Sequence, residues 1–85
     1  MKTELKGIEG ADCGGGPIYL RFSNHSVART ESYAGGEVNV DVDDRNQVIG
    51  IEMLSIDAEE IAALADVTRV YDLSLLPLFS ARKVS

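Results

Sequence analysis

The chain has 85 residues, 45% of them hydrophobic, with 14 acidic and 8 basic side chains and a formal net charge of −6. One domain fits that length, and a domain so small buries roughly 60% of the surface its unfolded chain exposes, so its core is thin. No apolar run approaches the ~20 residues of a membrane span, no signal peptide is expected, one cysteine excludes an internal disulfide or a multi-cysteine zinc site, and an acidic surface opposes nucleic acid, whose binders neutralise phosphate with a basic face.

Residues 1–16 are expected to form a flexible N-terminal segment. Met1 to Glu9 alternates charges with Leu5 and Ile8 without a sustained period, and Gly10 to Pro17 holds four glycines and a proline, a hinge composition. Pro17 opens the first strand, where a missing N–H is tolerated. Ile18, Leu20 and Phe22 alternate with Tyr19, Arg21 and Ser23, the period of a half-buried strand. Asn24-His25-Ser26 reads as a turn. Val27 to Tyr33 does not separate into two faces and fits either an edge strand or an extended loop, ended by Ala34-Gly35-Gly36.

Val38, Val40 and Val42 then point one way, and Glu37, Asn39 and Asp41 the other. Asp43-Asp44-Arg45-Asn46 is a turn. In the strand from Val48 to Leu54, Ile49, Ile51 and Met53 share one face and Val48, Gly50, Glu52 and Leu54 the opposite one. Two such runs around a short polar segment indicate a β-hairpin. A helix is expected from Ala58 to at least Asp66, with Asp57 and Glu60 as a capping box and Ile56 and Ile61 as a hydrophobic staple. Ile61, Leu64, Ala65, Thr68 and Tyr71 follow helical spacing, and the helix should cover the sheet through Ile61, Leu64 and Ala65.

The expected fold is α+β: a small antiparallel sheet of three to four strands in a meander of hairpins, with a C-terminal helix on one face. The domain spans 17–76, and 77–85 is a C-terminal tail. One sheet face collects Ile18, Leu20, Phe22, Val38, Val40, Val42, Ile49, Ile51 and Met53. Burial of that size only roughly offsets the entropy of ~50 ordered residues. Tyr19, Val48, Gly50 and Leu54 on the other face, with Leu75, Leu76, Leu78 and Phe79 beyond the helix, are left as candidate interface residues. A homo-oligomer, most simply a two-fold dimer, would cover them.

The stretches Ile18-Tyr19-Leu20-Arg21-Phe22, Thr30-Glu31, Val38 to Asp43 and Asn46 to Leu54 resemble the small bacterial family called domain of unknown function 2283, over about residues 17–56. The Gly50-Ile51-Glu52 block, preceded by Asp41 and Asp43, is the most specific part. Asn46 stands where a turn glycine is common in that family, the approach to the first strand is richer in glycine, and the chain beyond Ser55 is longer. The resemblance implies a small bacterial, cytoplasmic protein and assigns no activity. Some members are encoded beside small toxin-like proteins, which suggests an antitoxin-like partner of a basic protein.

Asp41, Asp43 and Glu52 are spaced as positions 1, 3 and 12 of a calcium loop. Arg45 at position 5 would repel the ion, and Asn46 replaces the glycine at 6, so the competing account gives Asp43 and Asp44 to the turn and Asp41 and Glu52 to the outward sheet face. Arg21 is expected to pair with one of that second pair, at about 0–1 kcal/mol for an exposed pair. His25 reads as a surface turn residue, Cys13 as an unactivated thiol, and Gly14 to Gly16 as linker, since no Lys-Ser/Thr follows as in a phosphate loop. Mid-strand Gly50 suggests that a side chain such as Tyr19, or a second subunit, approaches closely. No cofactor is implied. Glu37 to Glu60 carries eight acids against Arg45 alone, a surface suited to a basic protein. The sequence thus points to a non-enzymatic, self-associating interaction module, with an antitoxin-like role or a cation-binding or enzymatic site as alternatives.

Overall fold

Alternating apolar residues place one side of the central strands against a common core in the computed structural model, which describes residues 3–9 and 17–74. In chain order the strands are β1 (Thr3–Glu4), β2 (Gly7–Glu9), β3 (Ile18–Arg21), β4 (Arg29–Tyr33), β5 (Val38–Val42) and β6 (Val48–Met53). The helix α1 (Ala58–Val70) and the short strand β7 (Leu73–Ser74) follow. Five strands form one antiparallel sheet in the order β2-β3-β6-β5-β4, and α1 covers one face. The α+β class is as expected, with five strands rather than three to four. The ambiguous segment 27–33 contributes the edge strand β4.

The strand order is that of a Greek key rather than a plain meander: β4, β5 and β6 follow through hairpins, and β3 lies beside β6. The β3–β4 connection, Phe22 to Ala28, must therefore cross three strand spacings, about 14 Å. Its seven residues reach roughly 25 Å fully extended. It crosses at the β5–β6 turn, where the Phe22 and Ser23 N–H groups donate to the Ile49 carbonyl (2.8 and 3.1 Å) and Ala28 N–H donates to the Val42 carbonyl (2.8 Å). Phe22 drops into the core at the start of this crossing.

A bulge corrects the expected facing of β6. Asp41 pairs with Gly50 but Val42 pairs with Val48, so Ile49 is an extra residue. An inserted residue shifts the alternation by one. Val48 consequently enters the core beside Ile51 and Met53, and Ile49 is buried outside that cluster.

The helix begins and ends near the expected residues but is rotated. Glu60, Ala63, Leu64, Val67 and Tyr71 turn inward, while Ile61 is 50% exposed and Ala65 is exposed. The difference is about one residue step, ~100°. Asp57 is the N-cap, yet its side chain makes no capping hydrogen bond, and buried Glu60 leaves Oε1 without a partner. The capping box does not form, because the rotation carries Glu60 under the helix. Asp72, with φ of 56°, supplies the left-handed residue that ends the helix.

Residues 3–9 tie both ends of the described chain together. β1 runs parallel to β7, with Thr3 and Leu5 N–H donating to the Asp72 and Ser74 carbonyls (3.1 and 3.0 Å) and Lys6 N–H to the Arg21 carbonyl (2.7 Å). β2 then joins the sheet edge, and Leu5 packs into the core with Leu73. This part of the expected tail is strand. The stretch 10–16, with Cys13, and residues 75–85, with Leu75, Leu76, Leu78 and Phe79, lie outside the described residues. Among the described residues no helix is long and apolar enough to cross a membrane.

Candidate functional site

The outward sheet face, opposite α1, is polar and hydrogen-bonded. Register places Tyr19 on β3 between Glu9 on β2 and Glu52 on β6, and Asp41 on β5 beside Gly50. From β3, the Tyr19 hydroxyl donates to Asp41 Oδ2 on β5 at 2.9 Å, so the side chain lies down across β6. It passes over Gly50, where a Cβ would overlap Cζ, Cε2 and Oη of the ring. That is the reason for glycine at this position, and it matches the close approach expected of Tyr19.

Thr30 Oγ1 donates to Asp41 Oδ1 (2.6 Å), Asn39 Nδ2 to Glu52 Oε1 (3.4 Å) and Ser32 Oγ to Asn39 Oδ1 (2.8 Å). Burial first, then the Asp41 hydrogen bond, pushes the Tyr19 phenol well above its ordinary range. Arg21 shares this face but pairs with Glu9 and reaches Asn24 (3.5 Å), not Asp41 or Glu52 as expected. Glu9 is its diagonal neighbour on β2, a strand that the periodicity did not reveal.

Asp43 is separate from this network. It is buried, and its Oδ1 accepts the Arg45 and Gln47 N–H groups (2.8 and 2.9 Å) while Oδ2 lies 3.4 Å from His25 Nδ1. Asn46, with φ of 64°, occupies the left-handed position of a three-residue hairpin loop, where glycine is the usual choice. A hollow of about 420 Å³ opens here between the crossing connection (His25 to Ala28) and Asp43 to Arg45. The Asp43 carboxyl is held below its usual range, first by Gln47 N–H and then by Arg45 N–H and His25.

A depressed carboxylate stabilises the fold above its ordinary pKa of about 3.9 and loses that contribution as pH falls toward the lowered value. Urea melts between pH 6 and 2.5 are therefore expected to show falling stability below about pH 4, with a shallower fall in Asp43→Asn. An equal fall in both proteins would show that Asp43 is not the group concerned.

The third cluster joins the edge strand to the helix end. Glu31 Oε2 receives Arg29 Nε and a terminal nitrogen (3.1 and 2.9 Å), and its Oε1 receives the hydroxyls of Tyr33 (3.2 Å) and Tyr71. The Tyr71 hydrogen bond first, then Arg29, lowers Glu31. Burial, then Glu31, raises Tyr71 to about 12. Each of these shifts favours the form the group already holds at pH 7, ionised for Asp43 and Glu31 and neutral for Tyr19 and Tyr71.

Among the described residues no three His, Cys, Asp or Glu side chains come together as a metal site. The three spaced acids divide: Asp41 and Glu52 share the outward face, and Asp43 serves its own turn. Of the candidate interface residues, Val48 and Gly50 are buried, Tyr19 is committed to Asp41, and Leu54 is partly exposed. The Glu31–Tyr71 link, 40 residues apart, left no local signal.

A family model described as a protein of unknown function (DUF2283) matches residues 18–56, from β3 to the loop before α1 and just under half of the chain. It supports the resemblance carried by the same strands. No curated protein and no solved structure matches.

Proposed function

We propose that the chain is a non-enzymatic interaction module that pairs with a second copy of itself through the outward side of α1. One observation carries this: α1 is apolar on two sides. Ala63, Leu64, Val67 and Tyr71 face the core, while Ala58, Ile61, Ala62 and Ala65 lie exposed on the opposite side. An exposed apolar patch on a small protein marks a surface for a partner. Ile56, also exposed, lies in the loop that leads into this helix.

A second copy suits the charges as well. Antiparallel pairing about a two-fold axis would bring Arg69 near the end of one helix beside Asp57 and Glu59 at the start of the other, and the alanines permit close approach. In size-exclusion chromatography with light scattering at tens of micromolar, the wild type is expected at the mass of two chains and Ile61→Lys at the mass of one, with unchanged far-UV circular dichroism. A wild-type monomer under these conditions would overturn the proposal.

A further inference from the structure

We propose that residues 75–79 of each copy pack against the outward side of the other copy's α1, so that the partner completes the covering of that helix. This rests on the antiparallel pairing proposed above and supplies what that pairing still lacks. The helix has 13 residues, so its outward strip is about 20 Å long and about 10 Å wide. Such a strip offers about 200 Å² per copy, against the roughly 800 Å² per partner of a stable interface. Ile61 is the one large apolar side chain on it, and Ala58, Ala62 and Ala65 add little area.

The chain carries the missing surface itself. Directly after β7, which ends at Ser74, come Leu75-Leu76-Pro77-Leu78-Phe79, four large apolar residues in five. Ser74 lies only four residues beyond Val70, the last residue of α1. The exposed isoleucines gather at the opposite end of the helix: Ile56 is 67% and Ile61 50% exposed. In an antiparallel pair the end of one helix lies beside the start of the other. Residues 75–79 then begin next to the second copy's Ile56, Ala58 and Ile61. Ile61 of their own copy lies nine residues before Val70, about 14 Å back along the axis. The second copy is the nearer place to bury them.

Charge favours the same arrangement. Residues 75–85 hold two bases, Arg82 and Lys83, and no acid, whereas the start of α1 exposes Asp57 and Glu59. Opposite charges at the rim of an interface fix its orientation. Each copy gives one segment and receives one, as two-fold symmetry requires.

The test uses the full chain. By sedimentation equilibrium, dimerisation is expected to weaken at least about tenfold when Leu78→Ser and Phe79→Ser are combined, the effect of losing a buried apolar side chain, with unchanged far-UV circular dichroism. Independently, a nitroxide is attached to the chain carrying Cys13→Ser and Ser80→Cys, at natural isotope abundance, and the product is mixed with ¹⁵N-labelled wild type. Broadening is expected at the amides of Ala58 and Ile61, which only the label of a neighbouring copy can cause. If the double variant does not fold, the label result decides. An unchanged dissociation constant in the folded double variant, or no such broadening in a dimeric mixture, would overturn this proposal and leave helix pairing standing. A lower constant would overturn it too, by showing that the segment covers its own helix. A wild-type monomer would overturn both readings.

Discussion

Phe22→Ala is expected to leave a large part of the population unfolded at 25 °C. Phe22 is 2% exposed and is among the largest fully buried side chains. It lies where the chain leaves β3 to cross two strands, β6 and β5, and its N–H is fixed to the Ile49 carbonyl at the bulge. Truncating a buried phenylalanine costs about 3–5 kcal/mol, transfer and cavity together. At ~0.05–0.15 kcal/mol per residue, a chain of this length holds on the order of 4–13 kcal/mol in total. A core cluster of eleven residues, five of them valines, argues for the lower part of that range. Urea denaturation followed by far-UV circular dichroism would measure the loss, with Phe22→Leu as the milder comparison. A cooperative transition weakened by less than about 1.5 kcal/mol would mean that the cavity collapses or that the crossing is held by its backbone hydrogen bonds alone.

Phe22 was legible as core because period-2 alternation is a local property. The same holds for Leu20, the three valines of β5, Ile51 and Met53, and for the hairpin between β5 and β6. Gly50 was legible for a related reason: glycine in mid-strand is costly unless something lies over it, and Tyr19 does.

Elsewhere the competing principle was non-local. The β6 bulge moved Val48 inward and Ile49 out of the main cluster, and nothing in Asn46-Gln47-Val48-Ile49 marks an extra residue. The rotation of α1 was hidden because the helix carries two apolar stripes. Ile61 and Ala65 advertise one face and Val67 with Ala63 the other, and only the packed sheet selects between them. Selecting Val67 forced Glu60 inward and left the capping box unformed.

β4 resisted assignment because its core-side residues are Arg29, Glu31 and Tyr33. The sheet edge meets the hydroxyl of Tyr71 there, not hydrocarbon. On the outward face, the acidic side chains of β5 and β6 were visible. Their partners Thr30 and Asn39 were fixed only by cross-strand register.

Leu5→Ala is expected to destabilise the chain by about 2–3 kcal/mol, near the lower end for a buried leucine because the short two-stranded β1–β7 ribbon beside it can partly collapse. A mobile tail would give almost nothing, since exposed substitutions usually fall within about 0.5 kcal/mol of neutral. The difference follows from burial: Leu5 is 6% exposed and shares the core cluster with Leu73 and Phe22. Its N–H holds the Ser74 carbonyl while the next residue holds Arg21. Losing this contact should loosen the β1–β7 ribbon and the β2 edge together. Amide hydrogen exchange is therefore expected to accelerate at Leu5 and Lys6 more than at Val40. Leu5→Ala and Leu73→Ala should combine less than additively, as neighbours lining one cavity do. If urea melts show no loss, or the two substitutions simply add, then β1 does not clasp the core, and the sheet with α1 stands without residues 3–9.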